Sequence, residues 1–174
     1  MLGGPNGKGR SLALLFATLA SAPVAAAAPG AEISVQVSVK ITKPLSLSSS
    51  GSLNFGTIIV NGLTAPRTVS LSAANVLSCG GGTAELICSG PTTVPTYNVQ
   101  GTNRLIVSII KNTSTLTNSV NGATLTLTPS GPSTIELTNS GNPGEDFGIG
   151  GSILLMPSTA GLYSGVVDVT VDYQ

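Results

Sequence analysis

Period-two alternation, in runs too short and too often broken by turns to be helical, is the feature that most narrows the fold. From Gly161 to Gln174 the chain reads GLYSGVVDVTVDYQ, where Val167, Val169, Val171 and Tyr173 alternate with Asp168, Thr170 and Asp172. Near the other end, Ile33, Val35, Val37, Val39 and Ile41 alternate with Ser34, Gln36, Ser38 and Lys40. Successive side chains of a strand point to opposite faces, so this period marks a strand with one buried face. Between these ends the sequence predicts further strands at Leu53 to Ile58, Thr68 to Leu71, Tyr97 to Gln100, Leu105 to Ile110, Ala123 to Thr128, Thr134 to Leu137 and Gly148 to Met156. Asn61-Gly62, Asn121-Gly122, Ser130-Gly131-Pro132 and the run Asn139 to Gly144 supply turn signals between them. No stretch after the N-terminal region holds helical period. The expectation is an all-β chain, an immunoglobulin-like antiparallel β-sandwich with serine and threonine on its solvent faces.

The first 27 residues read differently. Lys8 and Arg10 close a polar region, Leu12 to Ala22 is apolar, and the small residues Ala25 to Ala28 follow. This is the layout of a secretory signal peptide cleaved near Ala26 or Ala27. Its apolar core is short of the ~20 residues that span a bilayer. The domain reading is therefore a cleaved signal peptide over residues 1–27 and one sandwich domain over 28–174, in which 28–43 carries the N-terminal alternating strand.

Charge supports an extracellular protein and argues against nucleic acid. Charged residues are 8% of the chain, against ~25% in an average globular domain. Seven basic and seven acidic residues balance, and loss of Lys8 and Arg10 with the signal leaves five basic ones. No basic stripe is available to neutralise phosphates. After signal cleavage no segment is left to span a membrane.

Two cysteines, Cys79 and Cys88, flank the run GGGTAELI. In an oxidising compartment they are expected to form a disulfide closing a small loop. Two free thiols are the alternative. Zinc would need four ligands, and the chain has no histidine. The spacing is also not that of a redox Cys-x-x-Cys pair.

The order of these elements carries a resemblance. A glycine before the last strand and a penultimate aromatic, Gly161 and Tyr173, resemble the C-terminal signature of bacterial chaperone–usher pilins. The runs AEISVQVSVKITKPLSL and SLNFGTI, the Gly-Gly-x-Leu-type element Gly150 to Leu154, and the terminal strand together resemble spore coat protein U-type subunits and archaic chaperone–usher pilins. They are more similar still to a family of secreted bacterial domains of unknown function. A cysteine that many pilins carry soon after the first strand is replaced here by Thr42 and Lys43. The resemblance implies that Gly161, Val167, Val169, Val171 and Tyr173 lie along a groove that lacks a strand. It also implies a periplasmic chaperone and an outer-membrane usher as partners, and a homopolymer as the product.

The segment Ile33 to Ile41 is then the candidate donor strand, with Ile33, Val35, Val37, Val39 and Ile41 as the inserting side chains. Folding back into its own domain demands the same alternation, so the pattern alone leaves both arrangements open.

Chemistry is sparsely represented. Without histidine, neither a Ser-His-Asp nor a Cys-His arrangement can be built. Glu145 and Asp146 are adjacent carboxylates after Asn142-Pro143-Gly144 and read as a solvated turn, not as a pair facing across a cleft. Gly80-Gly81-Gly82 lacks the lysine and helix of a phosphate loop. No catalytic residue, cofactor site or metal site is expected. The sequence points to a non-enzymatic, secreted protein of a bacterial periplasm, surface or exterior. Its leading reading is a structural subunit of a fimbria-like or coat-like assembly joined by strand exchange. The alternative is a self-contained monomeric surface or matrix domain for adhesion or biofilm contact.

Overall fold

In a computed structural model of the chain, the described residues are 35–80, 84–157 and 160–174. The expected signal peptide, Ile33, and part of the glycine run between the cysteines lie outside them. The chain divides at residue 39, and the fourteen strands found among the described residues belong to the part Lys40–Gln174. No helix occurs among the described residues.

The strands are β1 (Ser46–Ser50), β2 (Thr57–Val60), β3 (Arg67–Leu71), β4 (Leu77–Cys79), β5 (Leu86–Ser89), β6 (Thr96–Gln100), β7 (Ile106–Lys111), β8 (Ser114–Asn118), β9 (Thr124–Ser130), β10 (Thr134–Glu136), β11 (Glu145–Gly148), β12 (Gly150–Leu155), β13 (Tyr163–Ser164) and β14 (Val169–Tyr173). They form sheets in the orders β1-β6-β11, β10-β7-β14, β13-β8-β9-β12-β3-β4 and β2-β5. Every pairing is antiparallel.

Alternation places the core. In β9, Leu125 and Leu127 are buried while Thr124, Thr126 and Thr128 are exposed. They join Leu63, Val69, Leu86, Ile153 and Leu155 in a first apolar cluster, between the six-stranded sheet and β2-β5. A second cluster of Val99, Val107, Ile109, Leu137, Phe147 and Ile149 lies between the β1-β6-β11 and β10-β7-β14 sheets. Val167 packs against both clusters.

Several expectations need correction. Over residues 35–45 there is no strand, so the described part of the N-terminal alternating segment is unpaired. The C-terminal strand is split: β13 and β14 are separated by residues 165–168, and Val167 stands outside both. Glu145 and Asp146 begin β11 and do not lie in a free turn. Opposite Val99 and Asn98 they are drawn in by the burial of Phe147, whose ring stacks on Tyr97 at 5.4 Å. The Glu145 carboxylate accepts from the Thr138 amide at 3.1 Å, and Asp146 accepts from the Asn98 side chain at 2.6 Å. Strands β4, β5 and β8 occupy stretches that carried no strand expectation.

The Cys79–Cys88 disulfide is present, with Cα atoms 5.9 Å apart. It does more than close a loop. Cys79 lies in β4 of the six-stranded sheet and Cys88 in β5, so the bond staples β2-β5 onto its neighbour. A second tie sits beside it: Arg67 of β3 donates to Glu85 at 3.0 Å, and the Thr64 hydroxyl donates to the same carboxylate at 2.8 Å. The Thr64 hydroxyl first, and Arg67 next, hold the Glu85 carboxyl below its ordinary 4.5.

Two outcomes follow. Replacing Cys88 by Ser should destabilise the domain by about 2–3 kcal/mol through the lost cross-link. Intact-mass analysis of exported wild-type protein with an alkylating agent should find no free thiol; two alkylated cysteines before reduction would contradict the bond. Leu71 is fully buried, and Leu71→Ala should cost about 2–5 kcal/mol. Phe55 is only partly buried against the first cluster, so Phe55→Ala should cost less, about 1–2 kcal/mol, because part of its surface is already wet. Equal falls in thermal midpoint for the two variants would refute that placement.

Candidate functional site

The first cluster is not closed on all sides. A groove of about 600 Å³ opens onto it. Its floor is Leu116, Leu125, Leu127, Ile153 and Leu155, the inward faces of β8, β9 and β12. One wall carries Phe55, Ile58 and Val60, and the other Leu162, Tyr163 and Val167. Among the described residues that line it there is no Asp, Glu, Lys or Arg.

Local sequence explains each wall. Ile58 and Val60 point into the groove because β2 alternates, with Thr57 and Ile59 outward. Among the described residues strand β2 pairs only with β5, so it is a sheet edge there. On the far side, among the same described residues, β13 pairs only with β8 and ends its sheet. Both walls are therefore edge strands, which carry a row of backbone N–H and C=O groups with no ladder partner. Just before Phe55, Asn54 makes an isolated bridge to Thr93, with amide-to-carbonyl distances of 2.9 and 3.1 Å.

Gly161 shapes the second wall. Its φ is +140°, and a β-carbon there would collide with the side-chain amide of Asn118. Asn118 is the buried polar residue at the end of β8, and its side-chain oxygen Oδ1 accepts from the Val120 amide at 2.9 Å. A side chain at position 161 would displace it. This is a physical reason for glycine thirteen residues before the end of the chain.

The expected site residues are distributed unequally. Gly161 and Val167 line the groove. Val169, Val171 and Tyr173 do not; they are half-buried against the second cluster. Cys79 and Cys88 pack beside the first cluster, outside the groove lining. Of the donor-strand candidates, Val35, Val37, Val39 and Ile41 are exposed by 80, 91, 81 and 85%. Ile33 lies outside the described residues.

Sequence reading missed most of the floor as a site. The spacings Leu125-Leu127 and Ile153-Leu155 signal inward faces, but nothing local reveals that the core above them is uncovered. Leu116 was hidden because it is the one large apolar residue in Ser114–Asn118.

The chemistry available here is apolar contact and backbone hydrogen bonding. Among the described residues no cluster of three His, Cys, Asp or Glu side chains could hold a metal. Near the groove mouth the Tyr97 hydroxyl is held above its ordinary value of 10.0 by burial.

Neither the curated proteins nor the solved structures include one that matches this chain. One family model does match, over residues 45–173, which includes the groove and both apolar clusters. The chain belongs to the family described as Domain of unknown function (DUF4402).

Proposed function

We propose that this chain is a secreted structural subunit of a fimbria-like or coat-like bacterial surface assembly, joined by β-strand exchange, and that its fold is an immunoglobulin-like, pilin-like sandwich exported behind the signal peptide. One observation carries the reading. An alternating apolar segment stands exposed and unpaired in a chain whose core is open along an apolar groove between two edge strands.

The occupant of the groove is the segment Ile33 to Ile41 of a second copy. The two needs are complementary. Among the described residues the groove lacks ladder partners at its walls and apolar side chains above its floor; the segment has five apolar residues at alternating positions, and its described part, from residue 35, joins no strand. An inserted strand would supply both, which is β-augmentation. At about 1.5–3 kcal/mol for each fully buried side chain, the gross gain is about 8–15 kcal/mol. Ordering and association costs of about 4–15 kcal/mol offset much of it, so a durable junction draws on the backbone ladder bonds at the two walls as well as on side-chain burial. An uncharged groove also suits the valine-rich face of the segment, whose one charged residue, Lys40, falls on the opposite face of the alternation.

Before assembly the same groove is an aggregation hazard, because open edges pair with any available strand. A periplasmic chaperone that fills it, and an outer-membrane usher that exchanges it, are the partners this reading requires. The absence of histidine and of charged groove residues supports a non-enzymatic role.

A charge at the centre of the segment tests the reading. In Val37→Asp an unpaired carboxylate would have to enter the neighbour's apolar groove. That costs at least about 3 kcal/mol per junction, or roughly a hundredfold in affinity. Electron microscopy of protein exported from its native host should show rods for wild type and none for Val37→Asp. The variant subunit should keep its thermal midpoint when a peptide spanning Ala31 to Thr42 fills its groove. A wild-type protein that is only monomeric across a wide concentration range would replace this reading with that of a self-contained surface or matrix domain.

A further inference from the structure

The penultimate residue, Tyr173, ends β14 with its ring packed against the second apolar cluster. Its hydroxyl does two things at once. It accepts a hydrogen bond from the Thr102 amide at 2.7 Å and donates one to the Lys43 carbonyl at 2.7 Å. Both the donor and an acceptor position of the phenol are thereby used.

Lys43 is held from its other side as well. Its amide donates to the Thr102 hydroxyl at 2.7 Å, and its ammonium group donates to the Ser140 carbonyl at 3.4 Å. The Asn103 amide donates to the Ser140 hydroxyl at 2.9 Å, so the two loops that hold Lys43 are themselves joined. Lys43 is exposed and belongs to no strand, yet its N–H, its C=O and its side chain are all engaged. Pro44 follows it and keeps Lys43 extended.

Gly101 makes room for this arrangement. It is buried, and a β-carbon on it would run into the Tyr173 hydroxyl. That carbon would also sit 2.8 Å from Leu45 and 2.9 Å from Leu137 side-chain carbons. The hydroxyl reaches Thr102 and Lys43 across a glycine that leaves the path clear.

The position of the clamp along the chain gives it a consequence. The apolar alternation ends at Ile41, which is exposed, and only Thr42 separates it from the clamped Lys43. Two residue steps reach at most about 7 Å. Resting on the strand-exchange reading, we infer that Tyr173 is the positioning residue of the joint between successive copies. It fixes the base of the donor segment to the body that donates it. A strand seated in one copy is then coupled to the next copy through a single free residue, so the assembly is stiff. Without the hydroxyl, Lys43 keeps only its amide and ammonium hydrogen bonds, its carbonyl is released, and the base of the segment swings more freely about the body that donates it.

Tyr173→Phe removes the hydroxyl and keeps the ring. A second variant leaves Tyr173 intact and inserts a Gly-Ser dipeptide between Thr42 and Lys43, lengthening the same joint. The readout is the persistence length of rods traced in electron micrographs, which a merely stabilising hydrogen bond would not move. Both variants should form rods whose persistence length is about half that of wild type or less. Rods of both variants as stiff as wild type would overturn the joint and leave strand exchange standing. If Tyr173→Phe fails to fold, the insertion variant decides alone. A wild-type chain that forms no rods is a separate result: it removes the strand-exchange reading, and the joint falls with it.

Discussion

A folded core has to exclude water on every side, and here that requirement is unmet between β2 and the segment from Gly161 to Val167. The features around this gap depend on it. The floor leucines of β8 and β9 are placed by ordinary alternation, and the walls are edge strands because neither β2 nor β13 has a second neighbour among the described residues. Buried backbone groups demand partners, and an open edge leaves them with water or with another chain. The disulfide matters for the same reason. It joins β5 to β4, and β5 is the strand that pairs with β2 and holds it in place as a wall.

The termini flank this gap in different ways. Gly161 and Val167 build the second wall, while Val169, Val171 and Tyr173 seal the second cluster. Val167 touches both clusters and sits where the C-terminal run changes sheet partner, from β8 to β7. On the strand-exchange reading, one end of the chain shapes the groove and the other end fills a neighbour's. Tyr173 links these two roles through Lys43.

Much of this was legible in the sequence, for a definite reason. Where valine, isoleucine or leucine alternates with serine, threonine or aspartate, the buried face can be read directly, as in β9 and β14. Short strands with one apolar residue, or with a charged start, could not be read this way. β8 shows only Leu116, and β11 begins with Glu145-Asp146 after a proline and a glycine, so both imitate loops. The strands β4 and β5 were obscured by the glycine run between the cysteines. The groove itself had no local signal. Its lining comes from segments around positions 55, 125, 153 and 165, and what matters is the absence of a strand across them. Likewise, alternation in Ile33 to Ile41 identifies a strand-forming face but carries no information about which copy's core receives it.

The most direct measurement places a photo-reactive residue at position 37 in light and heavy isotope forms of the full chain. The two forms are mixed equally, assembled and irradiated, and the cross-linked peptides are identified by mass spectrometry. The account predicts links from position 37 to peptides containing Phe55 to Val60 or Gly161 to Val167, with light–heavy pairs as frequent as same-label pairs. Links confined to same-label pairs would show the segment closing its own groove and would contradict exchange between copies.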